Sequence, residues 1–558
     1  MSHRLNPQDE PVLDVDDIQG NILLGFNKDH QRLIGVSFHE MPSAKAWLRR
    51  ILPHISSTRE VFHFNTLFRL ARSRRGGGEA VGLIASWFNI AFSRDGIAKL
   101  TSAAQADDLP DTAFVNGLGK DRSIALGDFA PLPADDPTSN WVVGGTGRAP
   151  DVLLIIASDS PAQLDELTRV VIPNEAVDSP GAPSIVWQEL GETRPDLPGH
   201  EHFGFKDGVS QPGVYGLISK RPRVFLTPRF LKPSAAGEVN FAKPGQPLIL
   251  PGNFVLGYPS NNRNDGTPVD PPPLRQPWFR NGSFLVFRRL NQNVAGFHQF
   301  LAAQAAILAQ RPEFSGLRPE RLGAQLVGRW PSGAPISRVP DRDDPALARA
   351  PLANNDFFFG KDTPAPDLLP GVTPPAVFPA ALEGANGPVC PHAAHILKVN
   401  PRDLASDVGP DFDTLTRRIL RRGIPFGQPL KPGSLVDDGA ERGLHFLCYQ
   451  SSIEQQFEFL QQRWMNSAGG PASGGHDIIV GQRPDLHREA EIRAIHPGDR
   501  LSEKITAPTQ WVTPTGGGYF FAPSISALST VLAADSPVSA LTASRKKRRP
   551  AARPTPGG

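Results

Sequence analysis

Proline and glycine punctuate this chain so often, 58 and 53 times in 558 residues, that short elements joined by many ordered loops are expected rather than long helices. Between the breaks, apolar residues recur in two rhythms. Val152–Ser158, Gly282–Leu290 and Gly443–Tyr449 read as strands, as do Ala113–Val115 and Gly252–Tyr258. Ala162–Val171, Val294–Leu308 and Ile453–Trp464 carry apolar residues at helical spacing. Asp17–Phe26 pairs a polar turn with a strand-like run, and Gly516–Pro523 marks the end of the folded part. Arg329–Cys390, rich in Pro, Ala and Asp, reads as loop. Strands interleaved with helices predict an α+β fold. The length exceeds a typical single core severalfold, so two large domains or one elaborated double domain is expected.

Composition narrows the partners. A hydrophobic fraction of 39% and a charged fraction of 20% fit a soluble globular protein, and a net charge of +2 gives the folded body no electrostatic case for nucleic acid. The positive excess is local, in Arg545–Arg549 and Arg553, within a terminal segment lacking apolar periodicity. That segment reads as a disordered basic tail over 531–558, with a nucleic-acid or anionic-surface anchor as the alternative. Cys390 and Cys448 are the only cysteines, so no disulfide framework exists and a reducing compartment is expected. The polar N-terminal residues lack a secretory pattern and no apolar run is long enough to span a membrane, which together predict a cytoplasmic protein.

Three stretches carry chemistry. In Cys390–Arg402, His395 sits in an apolar run closed by the turn signal Asn400-Pro401-Arg402. A neutral imidazole there is either a metal ligand or a satisfied core side chain. In Gly204–Pro212, Asp207-Gly208 is either a plain turn dipeptide or a short carboxylate poised to move protons. In Arg417–Gly427, the arginines either favour the C-terminus of a helix over Leu415–Gly423 or place a permanent cation in a site.

Together these stretches resemble the dye-decolourising peroxidase family of haem enzymes, in its long-chain form. That family's signatures are a Gly-x-x-Asp-Gly loop, an Ala-His-Ile ligand segment and an Arg-Arg-Gly-x-Pro-Tyr/Phe-Gly segment. The resemblance runs from about residue 16 to 530. It implies two ferredoxin-like halves, each an antiparallel sheet with peripheral helices, divided as 1–200 and 201–530, with one haem b per chain in the second half. It implies His395 as the iron ligand in preference to His392, Asp207 as acid–base group and Arg421 as the catalytic cation, with Arg422 the alternative. Gly208, Leu444 and Phe446 would border the haem, and Arg402 would meet a propionate. Two positions depart from common members: Leu397, where many carry Arg, and Gly423, where shorter members carry Asn. The activity implied is reduction of hydrogen peroxide with one-electron oxidation of bulky phenols or dyes. Trp330, Trp464 and Tyr449 are the aromatics available for surface electron transfer, and an oligomer is possible. A haem-storage or iron-releasing haemoprotein is the alternative function.

Overall fold

The computed structural model describes residues 10–74, 82–128, 136–172, 181–234, 240–360, 363–381, 389–494 and 502–535. Nine antiparallel strands form one sheet in two halves. In the first half, β1 (His30–Ser37), β2 (Ser86–Phe92), β3 (Val152–Ser158) and β4 (Ser184–Glu192) lie in the order β2-β3-β1-β4. In the second, β5 (Ser283–Gln292), β6 (Leu420–Arg421), β7 (Ile424–Phe426), β8 (Gly443–Gln450) and β9 (Val512–Ala522) lie in the order β6-β8-β5-β9, with β7 also paired to β8. With β6 and β7 counted as one interrupted strand, both halves follow the same ferredoxin-like path. The duplication is therefore plain in the topology, although no internal repeat is visible in the residues. The halves join where Phe521 of β9 pairs with Phe92 of β2. At the other end β4 lies against β7 so closely that a Cβ on Gly191 would stand 2.4 Å from an Ile424 methyl.

Helices cover the sheet where their apolar faces match it. In the first half, α1 (Met41–Ile51) buries Ala44, Trp47, Leu48 and Ile51, and α2 (Thr58–Arg74) buries Val61 and Phe62. With α3 (Pro161–Val171) alongside, every residue of β3 is buried, which explains its unbroken Val-Leu-Leu-Ile-Ile run. In the second half, α4 (Val294–Leu308) starts at an Asn293 cap that accepts from the Gly296 N–H, and α5 (Pro319–Val327) ends at Gly328 in a left-handed conformation (φ 92°). Beyond them, the described residues between 328 and 419 lie off the sheet and include the short helices α6 (His395–Lys398) and α7 (Asp411–Thr416).

Four local expectations are corrected. Ala113–Val115 is helical, within Thr112–Asn116, because Asp111 caps the Phe114 N–H at 2.9 Å and Gly117 (φ 69°) ends the turn. Gly252–Tyr258 is turn rather than strand: it opens with a tight helical turn over Pro251–Asn253 and bends again at Gly257 (φ 87°). Within Asp17–Phe26, residues Gly20–Leu23 form a helical turn, while the Gln19 side chain satisfies both the N–H and the carbonyl of Ile90. The helix expected over Leu415–Gly423 stops at Thr416, because Leu420 and Arg421 pair with Tyr449 and Cys448.

Near the C-terminus, Leu532 and Ala533 are fully buried, so packing continues past residue 530. The basic stretch Arg545–Arg553 lies outside the described residues. No helix among the described residues is long and apolar enough to cross a membrane.

Candidate active site

A cavity of about 300 Å³ opens between the β8 face of the second half and the returning segment that carries α6. His395, Asp207, Gly208, Arg402, Arg421, Leu444 and Phe446, the residues singled out from sequence, all line it. His392 does not line it; its Nδ1 meets the Ser473 carbonyl at 2.8 Å.

On one side stands His395, the first residue of α6. Its Nδ1 lies 2.7 Å from Oδ2 of Asp477, a fully buried carboxylate whose Oδ1 accepts the Ile479 and Val480 N–H groups at 3.1 Å each. Both Asp477 oxygens are thus engaged. A proton on Nδ1 shared with that carboxylate leaves Nε2 with its lone pair, and Nε2 has no hydrogen-bond partner among the described residues.

Opposite are Asp207 and Arg421. Asp207 Oδ1 accepts from Arg421 Nη1 at 2.7 Å and from the Gly208 N–H at 2.6 Å, the latter made possible by the left-handed Gly208 (φ 70°). Its Oδ2 has no partner among the described residues. The group lies deep in the protein, yet 36% of its side-chain surface faces the cavity. Burial alone would raise its pKa, but the Arg421 charge and these two hydrogen bonds hold it below the ordinary aspartate value.

Gln211 fixes Arg421 to this loop. Its side-chain amide donates to the Arg421 carbonyl at 3.1 Å, and its Oε1 accepts the Arg421 N–H at 3.4 Å. Arg422 points elsewhere, donating at 2.8 Å to the carbonyls of Asn21 and Ile22. An asparagine would not fit at Gly423, where a Cβ would stand 2.9 Å from the His445 carbonyl.

Leu444 and Phe446 project from one face of β8 into the cavity, while His445 between them is buried on the other face against Glu189. Phe457, Leu460 and Met465 come from a helical segment wound with π-type turns over Ile453–Glu458 and Leu460–Met465.

Sequence reasoning missed further arginines on the cavity wall; Arg288 and Arg417 are paired with Asp128 and Asp413, whereas Arg329 and Arg418 have no carboxylate partner among the described residues. Arg329 donates to the Gly333 and Asn354 carbonyls and to Asn355 Oδ1, whereas the buried Nε of Arg418 has no acceptor among the described residues. Burial lowers each to about 10, with Arg421 adding repulsion, so both remain charged at neutral pH. Arg402 is held by Asn355 and the Phe357 carbonyl, and its guanidinium lies 3.7 Å from the centroid of the Phe357 ring. None of these three forms an ion pair among the described residues, an arrangement that calls for an anionic ligand. Asp477, too, was not named from sequence. The signal available for it was one carboxylate beside the apolar run Ile478-Ile479-Val480.

No group of three or more His, Cys, Asp or Glu among the described residues could hold a metal by itself. A single open imidazole, apolar walls and unpaired cations at the edge fit a flat apolar macrocycle with acidic substituents that brings its own metal. Haem has that chemistry.

The aromatics considered for surface electron transfer are interior. Trp330, Trp464 and Tyr449 are all buried, and Trp464 donates its indole N–H to Asp407 at 2.9 Å.

Comparison with known proteins finds matches over most of the chain. The family model "DyP dimeric alpha+beta barrel domain" matches residues 17–177, and "Dyp-type peroxidase, C-terminal" matches 381–472. Dye-decolorizing peroxidase msp1 of Mycetinis scorodonius is 32% identical over 93% of this chain and 88% of its own length. An ancestral D-type dye decolorizing peroxidase superimposes with a TM-score of 0.72 at 32% identity, covering 94% of this chain and 100% of that one. A fungal DyP-type peroxidase from Auricularia auricula-judae superimposes with a TM-score of 0.66 at 29% identity, covering 94% and 99%.

Proposed function

This chain belongs to the dye-decolorizing peroxidase family, and on the premise that it is a haem peroxidase reducing hydrogen peroxide and oxidising dyes, we propose how its residues divide the work. The observation that carries the assignment is the ion pair of Asp207 and Arg421, 2.7 Å apart, on the same cavity as an imidazole with a free Nε2.

His395 would hold the iron through Nε2, the nitrogen left open by the Nδ1 contact to Asp477. Asp477 keeps the Nδ1 proton in place, which orients the ring and strengthens Nε2 as a donor. Arg418 and Arg402 would meet the propionates, Arg418 first because its Nε has no acceptor among the described residues. Leu444 and Phe446 wall the peroxide side and exclude bulk water. Neither Cys390 nor Cys448 lines the cavity, which supports a non-covalent haem b, one per chain. Bound haem would supply the redox-active iron through which electrons pass from reductants to peroxide.

Asp207 Oδ2, the unengaged oxygen, takes a proton from one peroxide oxygen and returns it to the other, which leaves as water. Arg421 keeps Asp207 ionised and stabilises the negative charge that develops on the departing oxygen, a preorganised electrostatic role. A haem-storage or iron-releasing protein has no use for such an acid–base pair, so peroxide reduction is the reading the geometry supports. The two cysteines are buried and not joined in a disulfide, in keeping with a reducing, cytoplasmic setting, which cell fractionation would test.

Haemin titration followed by absorbance tests the ligand assignment. Wild type and His392→Ala should each take up one equivalent and consume peroxide, whereas His395→Ala should lose specific uptake. An unchanged ferric spectrum in His395→Ala would overturn it.

A further inference from the structure

The main cavity is lined by a second carboxyl group, Glu201. It stands on the same hairpin as Asp207, closed by a β-bridge between His200 and Lys206 and by the Asp207 N–H donating to the Gly199 carbonyl at 3.0 Å. Glu201 Oε1 accepts the Phe205 N–H at 2.9 Å. Its Oε2 accepts the Phe203 N–H at 2.8 Å and lies 2.6 Å from the side-chain amide of Gln292 on β5.

No cation pairs with Glu201 among the described residues. Of the charged and titratable groups on the hairpin and the elements packed against it, Arg194 pairs with Asp196 and donates only to the Glu201 and His202 backbone carbonyls. Arg288 of β5 pairs with Asp128, and Arg442 pairs with Asp438. Lys206 forms no ion pair with it, His202 turns its Nε2 to the Phe426 carbonyl, and His298 bonds to the backbone of Phe203. The charge that does act on Glu201 is that of Asp207, of the same sign. A buried carboxylate without a counterion sheds its charge by taking up a proton. Burial and Asp207 accordingly raise the Glu201 pKa against its three hydrogen bonds, while Arg421 helps to hold Asp207 low. Two carboxyls on one cavity driven apart in this way divide into an acid and a base.

Gln292 accommodates both states. An amide meets an ionised carboxylate with its NH2 and a protonated carboxyl with its oxygen. Its Oε1 is buried without a partner among the described residues, so nothing there opposes its turning over to follow the proton, and 2.6 Å suits an O–H···O bond.

We propose that Glu201 is the proton donor for the reductive half of turnover, carrying a proton at neutral pH and delivering it into the cavity. The proposal rests on the peroxidase reading. Reducing hydrogen peroxide to two waters takes two electrons, which the reductant supplies, and two protons. Asp207 returns to one peroxide oxygen the proton it took from the other, so it adds none. For each proton delivered, the Glu201 O–H bond breaks, an O–H bond forms on the second peroxide oxygen, and the carboxylate left behind takes a proton back from solvent.

Stopped-flow kinetics of the holoenzyme separate the two halves, with ferrocyanide as a reductant that gives electrons but no protons. In Glu201→Gln, consumption of one equivalent of peroxide should keep the wild-type rate, whereas the return to the resting spectrum should slow about a hundredfold, the lower end for a lost proton donor. In wild type that return should slow as pH rises through the Glu201 pKa, because only the protonated form donates. Glu201→Gln should lack this limb, and Glu201→Asp, which keeps a carboxyl, should restore part of it. Infrared spectra read the proton without turnover: the wild-type holoenzyme at neutral pH should show the carbonyl stretch of an un-ionised carboxyl, shifted in heavy water and missing in Glu201→Gln. An unchanged return rate in Glu201→Gln, equal slowing of both halves, or no such band in wild type would overturn the proposal. Should Glu201→Gln fail to take up haem, the pH dependence of the wild-type band and its shift in Glu201→Asp decide instead. If wild type consumes no peroxide, the peroxidase reading fails, and the infrared band still decides whether Glu201 holds a proton.

Discussion

The first and second halves of the sheet follow one strand order, yet they use the space above it in opposite ways. In the first, residues 38–85 connect β1 to β2 through two helices whose apolar faces close onto the sheet, and Ile156 of β3 is fully buried. In the second, the corresponding connection runs over 293–419 and takes the chain outward past α5 before returning with α6. There the β8 face meets a histidine and a cavity instead of a helix, and Leu444 and Phe446 are only half-buried. The comparison teaches that a shared topology sets where strands lie, while the length and content of one crossover decide whether the face becomes core or site.

The largest effect expected from breaking that contrast is at Asp207. Asp207→Asn should slow single-turnover peroxide consumption by about a hundred- to ten-thousandfold, the usual weight of general acid–base catalysis. It should also remove the acid limb of the rate–pH profile. An ordinary aspartate titrates near about 3.9, and here Arg421 and the Gly208 N–H hold the group lower against the opposing effect of burial. The carboxylate therefore stays a competent base below that pH, and wild-type dye oxidation should extend well into acid. The stability that Arg421 lends is present above the unfolded value and is lost as pH falls through the lowered folded one. Stopped-flow rates from pH 3 to 7 check this; a wild-type rate in Asp207→Asn throughout would transfer the proton step to Arg421 and water.

Next comes Arg421→Leu, expected to cost about a hundred- to a thousandfold in peroxide reduction at fixed haem content. Arg422→Leu should instead lower the melting temperature, because it strips donors from the Asn21 and Ile22 carbonyls. Equal rate losses in the two would contradict the divergence of their side chains.

Asp477→Asn should be milder, about ten- to a hundredfold in haem affinity or turnover, typical of a group that orients a metal ligand. Haemin titration alongside His395→Ala separates the two roles.

The smallest catalytic effect should fall in the first half. Ile156→Ala should cost about 2–5 kcal/mol of stability with unchanged turnover per bound haem. Leu444→Ala, whose side chain already faces a cavity, should cost less stability and more haem affinity. Chemical denaturation of the two variants compares a closed face with an open one.

Much of the candidate site was legible in the sequence because the groups proposed to react sit in contiguous motifs. Asp207 with Gly208, His395 with Ile396, and Arg421 with Pro425-Phe426-Gly427 are each a local signal. Strong periodic segments such as Val152–Ser158 and Val294–Leu308 were equally legible, since burial on a fixed face imposes a fixed spacing. Ala113–Val115 was not, because strand-like residues were overruled by an Asp111 cap and by contact with the distant Phe284 and Phe521 rings. Nor could sequence name Asp477, 82 residues from the histidine it holds, or show that Arg418 Nε has no acceptor among the described residues. A motif records which groups are chemically capable. Which nitrogen is held, which oxygen is left open and which buried charge lacks a counterion depend on segments far apart in the chain, and only their packing around one cavity decided them.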